Sequence, residues 1–331
     1  MEKIMKTLAV LDVGGTISSF SSKNTDEFYN KTGDSISSFI NEFPPFTNIQ
    51  IQYQFFSNKI SHELSTDELL DLAKKIQALV DDNETFGAVI SVGTNALEDI
   101  AYFIDLVVKT PKTIVFTGSY FPQNHLVYDG KKNLYNALVI AQHDNAQNLG
   151  VLITFNDTVV SAKWATKTKP GLAENFSNDG LGVIGYIIGD VFHQMMRPIL
   201  NSYDTNFSVK RMSRYPKIAI LYSHLGMDLD YINYLVYDSK IEGLISAGFG
   251  KGYQTKEISM LLQQAVEKKN FTLIRCSRAG FFLSNKDASY DDRYGFICAS
   301  QLSPQKAAIL LSVCLVHNLT KQEIRKAFEE Y

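Results

Sequence analysis

At 331 residues, with 45% hydrophobic and 20% charged residues, the chain has the make-up of an ordinary soluble globular protein with room for one large or two medium domains. A formal net charge of −3 gives no electrostatic case for nucleic acid or an anionic membrane surface as a partner. Cys276, Cys298 and Cys314 lack CxxC spacing and are odd in number, which argues against a disulfide framework.

These cysteines sit in apolar runs and read as buried small hydrophobes. No His, Cys and Asp cluster has ligand spacing, so neither a metal nor an organic cofactor is expected. No apolar window approaches the roughly 18 residues of a membrane span. Lys3 and Lys6 precede Leu8-Ala9-Val10-Leu11, but that run is too short for a signal-peptide core, and the expected compartment is the cytoplasm.

The first strand runs from Lys6 to Val13 and ends in Gly14-Gly15-Thr16. Two glycines after an apolar strand let the backbone turn sharply and approach a ligand. The polar run Ser18 to Lys31, with Tyr29 as its one aromatic hydroxyl, reads as a mobile flap rather than a helix or strand. Ile49 to Phe56 alternates as a strand and stops at Ser57-Asn58. Ser65 and Glu68 form a capping box before Leu69, Leu72, Ile76 and Leu79 at helical spacing. A second apolar strand, Gly87 to Val92, ends in Gly93-Thr94 and leads into a helix from Asn95 to Val108.

Beyond it come a strand at Thr113 to Thr117, a loop with Asp129-Gly130, a helix from Lys132 to Gln142 and a strand from Leu149 to Phe155. An Asn156-Asp157 turn, a basic stretch from Lys163 to Lys169 and one or two strands in Gly180 to Ile188 follow. A smaller series then runs through Ile218 to Tyr222, Gly243 to Ala247, Phe271 to Cys276 and helices at Pro304 to Leu315 and Thr320 to Glu329. Strands alternating with helices predict an α/β fold: a larger N-terminal doubly wound, mostly parallel sheet and a smaller C-terminal α/β domain. The expected boundaries are 1–200 for the first domain, 201–216 for a polar linker and 217–331 for the second.

The two glycine–threonine ends are the chemical signal. Together they put Thr16 and Thr94 at neighbouring sheet ends, where open α/β sheets bind ligands. Thr94 also reads as a helix cap, and Lys167 as part of a solvated basic face. Asp12-Val13-Gly14-Gly15-Thr16 looks like the phosphate hairpin of actin-like sugar kinases, but Ser18-Ser19-Phe20-Ser21-Ser22 supplies only a poor second strand and the second nucleotide motif of that fold is not found.

The chain resembles the bacterial type I/II L-asparaginase family over nearly its whole length. Gly14-Gly15-Thr16-Ile17 is similar to that family's first threonine motif, and Val92-Gly93-Thr94-Asn95-Ala96-Leu97-Glu98-Asp99-Ile100-Ala101-Tyr102-Phe103 to its second. Asp129-Gly130 with Asn133-Leu134-Tyr135-Asn136-Ala137, then Asn156-Asp157-Thr158-Val159, Thr166-Lys167-Thr168, Ser246-Ala247-Gly248 and Tyr294-Gly295-Phe296 match in order. The resemblance implies a small amide substrate and a homodimer or homotetramer. It assigns Thr16 as nucleophile with Tyr29 on its flap, and Thr94 with Lys167 as a second pair in which Lys167 acts as base if burial lowers its pKa. Ser57, Asn58, Gly93, Asn95 and Lys251 would hold the substrate; Tyr135, Tyr294 and Trp164 read as core or interface.

Departures from the family pattern fall on substrate recognition. Its aspartate for the substrate's α-ammonium is Asn95 here, its histidine is Val92, its next threonine is Ala96, and the asparagine between two glycines is Lys251. The glutamate of glutaminase-asparaginases is absent near Ser289, and Asp12 replaces a small residue. Two expectations follow: an asparaginase-like amidohydrolase with altered specificity and a threonine acyl-enzyme, or a weak or inactive relative that binds a small ligand.

Overall fold

Five consecutive buried residues, Leu8 to Asp12, form the end of the first strand, as a central parallel strand covered on both faces requires. A computed structural model describes residues 5–23, 29–168, 176, 181–198, 203–269, 271–279 and 285–331, with backbone alone for 29–32. The chain divides into two compact units, Met1–Val209 and Lys210–Tyr331.

The first unit contributes strands β1 (Lys6–Asp12), β2 (Ser19–Ser21), β3 (Tyr29–Thr32), β4 (Ile49–Phe55), β5 (Thr85–Ser91), β6 (Thr113–Thr117), β7 (Val151–Phe155), β8 (Thr158–Ser161), β9 (Val183–Ile188) and β10 (Val191–Gln194). Eight of these make one sheet in the order β10-β9-β8-β7-β6-β5-β1-β4. Its half from β4 to β7 is parallel. The β8, β9 and β10 strands close it antiparallel. Helices α1 (Ile36–Glu42), α2 (Thr66–Asp81), α3 (Leu97–Val107) and α4 (Gly130–Ala141) complete the unit. One core cluster joins Leu8, Val10, Val89 and Val115 of the sheet to Leu134 and Leu138 of α4. Tyr135 packs against it, its ring beside those of Phe43 and Phe46.

The α2 capping box is present in both halves, with Ser65 accepting from the Glu68 amide and the Glu68 carboxylate accepting from Ser65. The polar run after Thr16 differs from a plain flap. Thr16–Ser18 makes a 3-10 turn, and β2 pairs antiparallel with β3, Ser21 opposite Tyr29. A two-stranded ribbon of mostly polar residues, Ser19-Phe20-Ser21 and Tyr29-Asn30-Lys31-Thr32, has no apolar alternation to announce it. Residues 203–209, within the segment read as a linker, are held to the first unit: Thr205 donates to the Leu106 carbonyl at 2.8 Å, and Phe207 is buried.

The second unit holds β11 (Ile218–Tyr222), β12 (Gly243–Gly248), β13 (Thr272–Ser277) and β14 (Ile297–Cys298), parallel and paired in that order. Around them lie α5 (Leu229–Asn233), α6 (Lys256–Lys269), α7 (Ala288–Tyr294), α8 (Pro304–Val316) and α9 (Lys321–Glu330). Tyr294 belongs to the core of this unit, while Cys276 and Cys314 are buried and Cys298 half-buried, each of them outside any disulfide. A buried ion pair crosses the unit, from Arg275 on β13 to Asp291 on α7. Among the described residues, no helix is long and apolar enough to cross a membrane.

Candidate active site

The site begins with two strands in register. β1 and β5 pair so that Asp12 lies opposite Ser91, and the Val13 amide donates to the Ser91 carbonyl at 2.8 Å. Both chains then turn on glycine. Gly14 and Gly15 have φ of +91° and +99°, which side chains resist. A Cβ on Gly15 would lie 2.4 Å from Gly93 Cα, so the two turns touch backbone to backbone. One on Gly14 would lie 2.7 Å from the Asn58 backbone. Thr16 and Thr94 each stand one residue beyond the Gly15–Gly93 contact.

Asp12 pins this turn. Its carboxylate accepts from the Gly14 amide at 3.0 Å and the Tyr53 hydroxyl at 3.2 Å. Its carbonyl takes the amides of Phe56 and Ser57 at 2.8 and 3.3 Å. Burial pushes the Asp12 carboxyl above its ordinary range, against the lowering effect of the Gly14 and Tyr53 hydrogen bonds. Downstream, the Ile17 carbonyl accepts from the Tyr128 hydroxyl at 2.8 Å and the Gln123 amide at 2.9 Å. Thr16 itself is 7% exposed, and its hydroxyl makes no hydrogen bond among the described residues. The side chain of Tyr29 lies outside the described residues.

On the other turn, Thr94 is not a helix cap. The N-cap of α3 is Ala96, without a side-chain cap bond, and the Ala96 amide is taken by Ser61 Oγ at 3.1 Å. The Thr94 hydroxyl instead accepts from Lys167 Nζ at 3.1 Å. Lys167 Nζ also donates to Asn95 Oδ1 at 3.2 Å, and the Tyr120 ring lies 5.6 Å away. The solvated-face reading of Lys167 is therefore overturned: the side chain is half-buried and turned to the second threonine. Burial lowers its pKa from the ordinary lysine value, and Glu98 opposes this by charge.

Lys167 is positioned by its own backbone, whose amide is held by the Glu98 carboxylate on the first turn of α3. Tyr120 is placed by Asp129, which accepts from the Tyr120 and Phe121 amides at 3.0 Å and the Ser119 hydroxyl at 2.6 Å. Asn95 is exposed, and its Nδ2 meets His62 Nδ1 at 3.1 Å. Ser57 is half-buried, with its hydroxyl accepting from the Lys59 amide at 3.1 Å.

Two family models match this chain: the N-terminal asparaginase model over residues 7–199 and the glutaminase/asparaginase C-terminal domain over residues 217–328. The chain belongs to the asparaginase family. L-asparaginase 2 of Escherichia coli (strain K12) is 32% identical over 330 residues, covering 99% of this chain and 94% of that one. Glutaminase-asparaginase of Pseudomonas fluorescens biotype A is 29% identical over 333 residues, covering 99% of this chain and 91% of its own. A crystal structure of the probable cytoplasmic L-asparaginase from Campylobacter jejuni superimposes with a TM-score of 0.90 at 29% identity, over 98% of this chain and all of that one.

In this asparaginase-family chain, one strand edge of the first unit therefore gathers Thr16, Gly93, Thr94, Asn95 and Lys167, with Ser57 and Asn58 at the end of the adjoining β4. Lys251 is exposed on the second unit, in the turn that the Phe249–Tyr253 bridge closes. Glu98, Tyr120, Ser61 and His62 were not legible as site residues. Glu98 and Tyr102 both read as helix from sequence, and only the position of Lys167 separates their roles. His62 carries no motif; its one signal is a place shortly after Ser57.

Proposed function

We propose that this chain is an asparaginase-like amidohydrolase that converts L-asparagine or a related small amide to the acid and ammonia through an acyl-threonine on Thr16. Membership of the family supports amide hydrolysis of the asparaginase/glutaminase kind. The observation that carries the finer reading is the 3.1 Å contact of a half-buried lysine amine with the Thr94 hydroxyl, one glycine contact away from Thr16.

Lys167 donates to Thr94 while it is an ammonium. Once deprotonated, the amine accepts a proton instead, and burial brings that state closer to neutral pH. In the proposed sequence the Thr16 oxygen forms a bond to the amide carbon and gives up its proton to a neighbouring oxygen, Tyr29 being the candidate carried by the resemblance. The carbon–nitrogen bond then breaks, and the leaving nitrogen takes up the proton given up by Thr16 and departs as ammonia. Water next attacks the Thr16 ester, passing its proton through Thr94 to Lys167; the bond from the acyl carbon to the Thr16 oxygen then breaks, that proton returns to the Thr16 oxygen, and the acid leaves. Ser57, Asn58, Asn95 and Lys251 are the substrate-holding residues that the resemblance carries over. Self-association into a dimer or tetramer and a cytoplasmic location belong to the same proposal, the latter in keeping with the Campylobacter relative's printed name.

The test is ammonia release from asparagine, glutamine and D-asparagine by purified protein, with Thr16→Ala and Thr94→Ala as controls. Turnover above both controls is expected. No turnover above them would leave the chain as a small-ligand binding relative.

A further inference from the structure

The charge around Asn95 is one-sided. Lys167 Nζ has two hydrogen-bond partners, Thr94 Oγ1 and Asn95 Oδ1, and both are neutral. Among the described residues no carboxylate lies within salt-bridge reach of that amine. Glu98, whose charge does act on it, is 8% exposed and directs an oxygen to the Lys167 backbone amide. The next cation along the β4 end, Lys59, is already paired with Glu68 at 2.6 Å.

Asn95 is committed at both ends. Its Oδ1 receives Lys167, and its Nδ2 meets His62 Nδ1, so that His62 carries its own proton on Nε2. What the Asn95–His62–Lys167 group has left for a ligand is one N–H of Asn95, the imidazole N–H of His62 and the positive field of Lys167. These are donors and a cation. An ammonium placed here would find one amide lone pair on an oxygen already holding Lys167, and it would face a like charge. An anionic or uncharged group meets neither penalty, and unpaired charge of one sign selects against ligands of that sign.

From this geometry, and resting on the amidohydrolase reading, we infer that the substrate class is a monoamide of a dicarboxylic acid without a free α-ammonium. Succinamic acid is the simplest member, and N-acylated asparagine is another. The carboxylate end supplies the negative charge that the edge favours, and the amide end is the group attacked.

The experiment compares kcat/KM for ammonia release from succinamic acid, N-acetyl-L-asparagine and L-asparagine, in the wild type and in Asn95→Asp. Succinamic acid is expected to exceed L-asparagine by about tenfold, the factor that separates a charge-assisted hydrogen bond from a neutral one. Asn95→Asp is expected to reverse that order, raising asparagine and lowering succinamate. A wild-type preference for L-asparagine overturns the inference and leaves the amidohydrolase reading intact. Calorimetric titration of Thr16→Ala with succinamic acid and L-asparagine ranks the same ligands independently of turnover. Tighter binding of asparagine there also overturns the inference, whereas absence of any turnover above Thr16→Ala overturns the amidohydrolase reading itself.

Discussion

Two cations, the buried Arg275 of the second unit and the half-buried Lys167 of the first, are held in opposite ways. Arg275 is 1% exposed, and its Nε and Nη2 reach the two oxygens of Asp291 at 2.6 and 2.8 Å. Its Nη2 also donates to the Asn285 carbonyl at 2.9 Å, and its Nη1 to the Lys251 carbonyl. Burial works against that charge, yet the hydrogen bonds and charge of Asp291 outweigh it, and the pKa of Arg275 is raised. Lys167 has only a hydroxyl and an amide oxygen, and its pKa is lowered. A carboxylate partner makes a buried cation permanent and structural, whereas neutral partners leave its proton exchangeable. The first arrangement joins a strand to a helix; the second is the one that suits chemistry.

The contrast can be broken experimentally, and the largest effect expected is at Lys167. Lys167→Met should lower kcat/KM for ammonia release by roughly 10²–10⁴, the usual range for losing a general base, with the thermal unfolding midpoint little changed. Asp291→Ala should do the reverse in kind, stranding a buried guanidinium at a cost of about 3–5 kcal/mol, read as a lower unfolding midpoint of the full chain. If Lys167→Met unfolded the chain and Asp291→Ala did not, the assignment of the two cations would have to be exchanged.

A smaller shift is expected in pH dependence. Burial lowers Lys167 from 10.5, so the active neutral amine appears at lower pH than in free lysine, and turnover should rise with pH through that lowered value. Because the folded chain releases this proton before the unfolded one, stability linked to Lys167 also climbs between the folded and unfolded values. Asn95→Asp sets a carboxylate where Oδ1 now stands 3.2 Å from Nζ, and should displace the rising limb to higher pH. An unmoved limb would remove Lys167 as the titrating base. The least effect is expected from Ser61→Ala, which loses only the bond to the Ala96 amide and should cost about 1 kcal/mol in chemical denaturation without moving the pH profile.

The parts of the fold set by continuous apolar runs were legible. Leu8 to Leu11, Ala88 to Ile90 and Ile114 to Phe116 are buried central strands, and the Ser65–Glu68 box starts its helix. Elements lacking that pattern escaped. Only Ile36 and Phe39 of α1 are buried, too few to show a period, and its start depends on the Ser35 cap. The sequence reading also leaves out α6, although Ile258, Leu262 and Val266 stand four apart, because lysines and glutamines dilute them. At the site, the residue types on the two turns were legible, since glycine before threonine implies close backbone approach. Which groups meet Lys167 was not, because that depends on a chain segment some 70 residues beyond Thr94 folding back to it.

The contact of Gly15 with Gly93 also bears on how this site can be altered. The two turns that carry Thr16 and Thr94 are set against each other by peptide groups and by the hydrogen-bond ladder of the β1 and β5 strands. Exchanging Asn95 or His62, whose contacts are made by side chains, is expected to leave that backbone contact untouched. In the proposed reaction the alignment for attack would be inherited from the sheet, while the choice of substrate would sit on exposed side chains that mutation can replace one at a time. A laboratory lineage selected for new amides would therefore accumulate its changes around position 95 and keep both glycines.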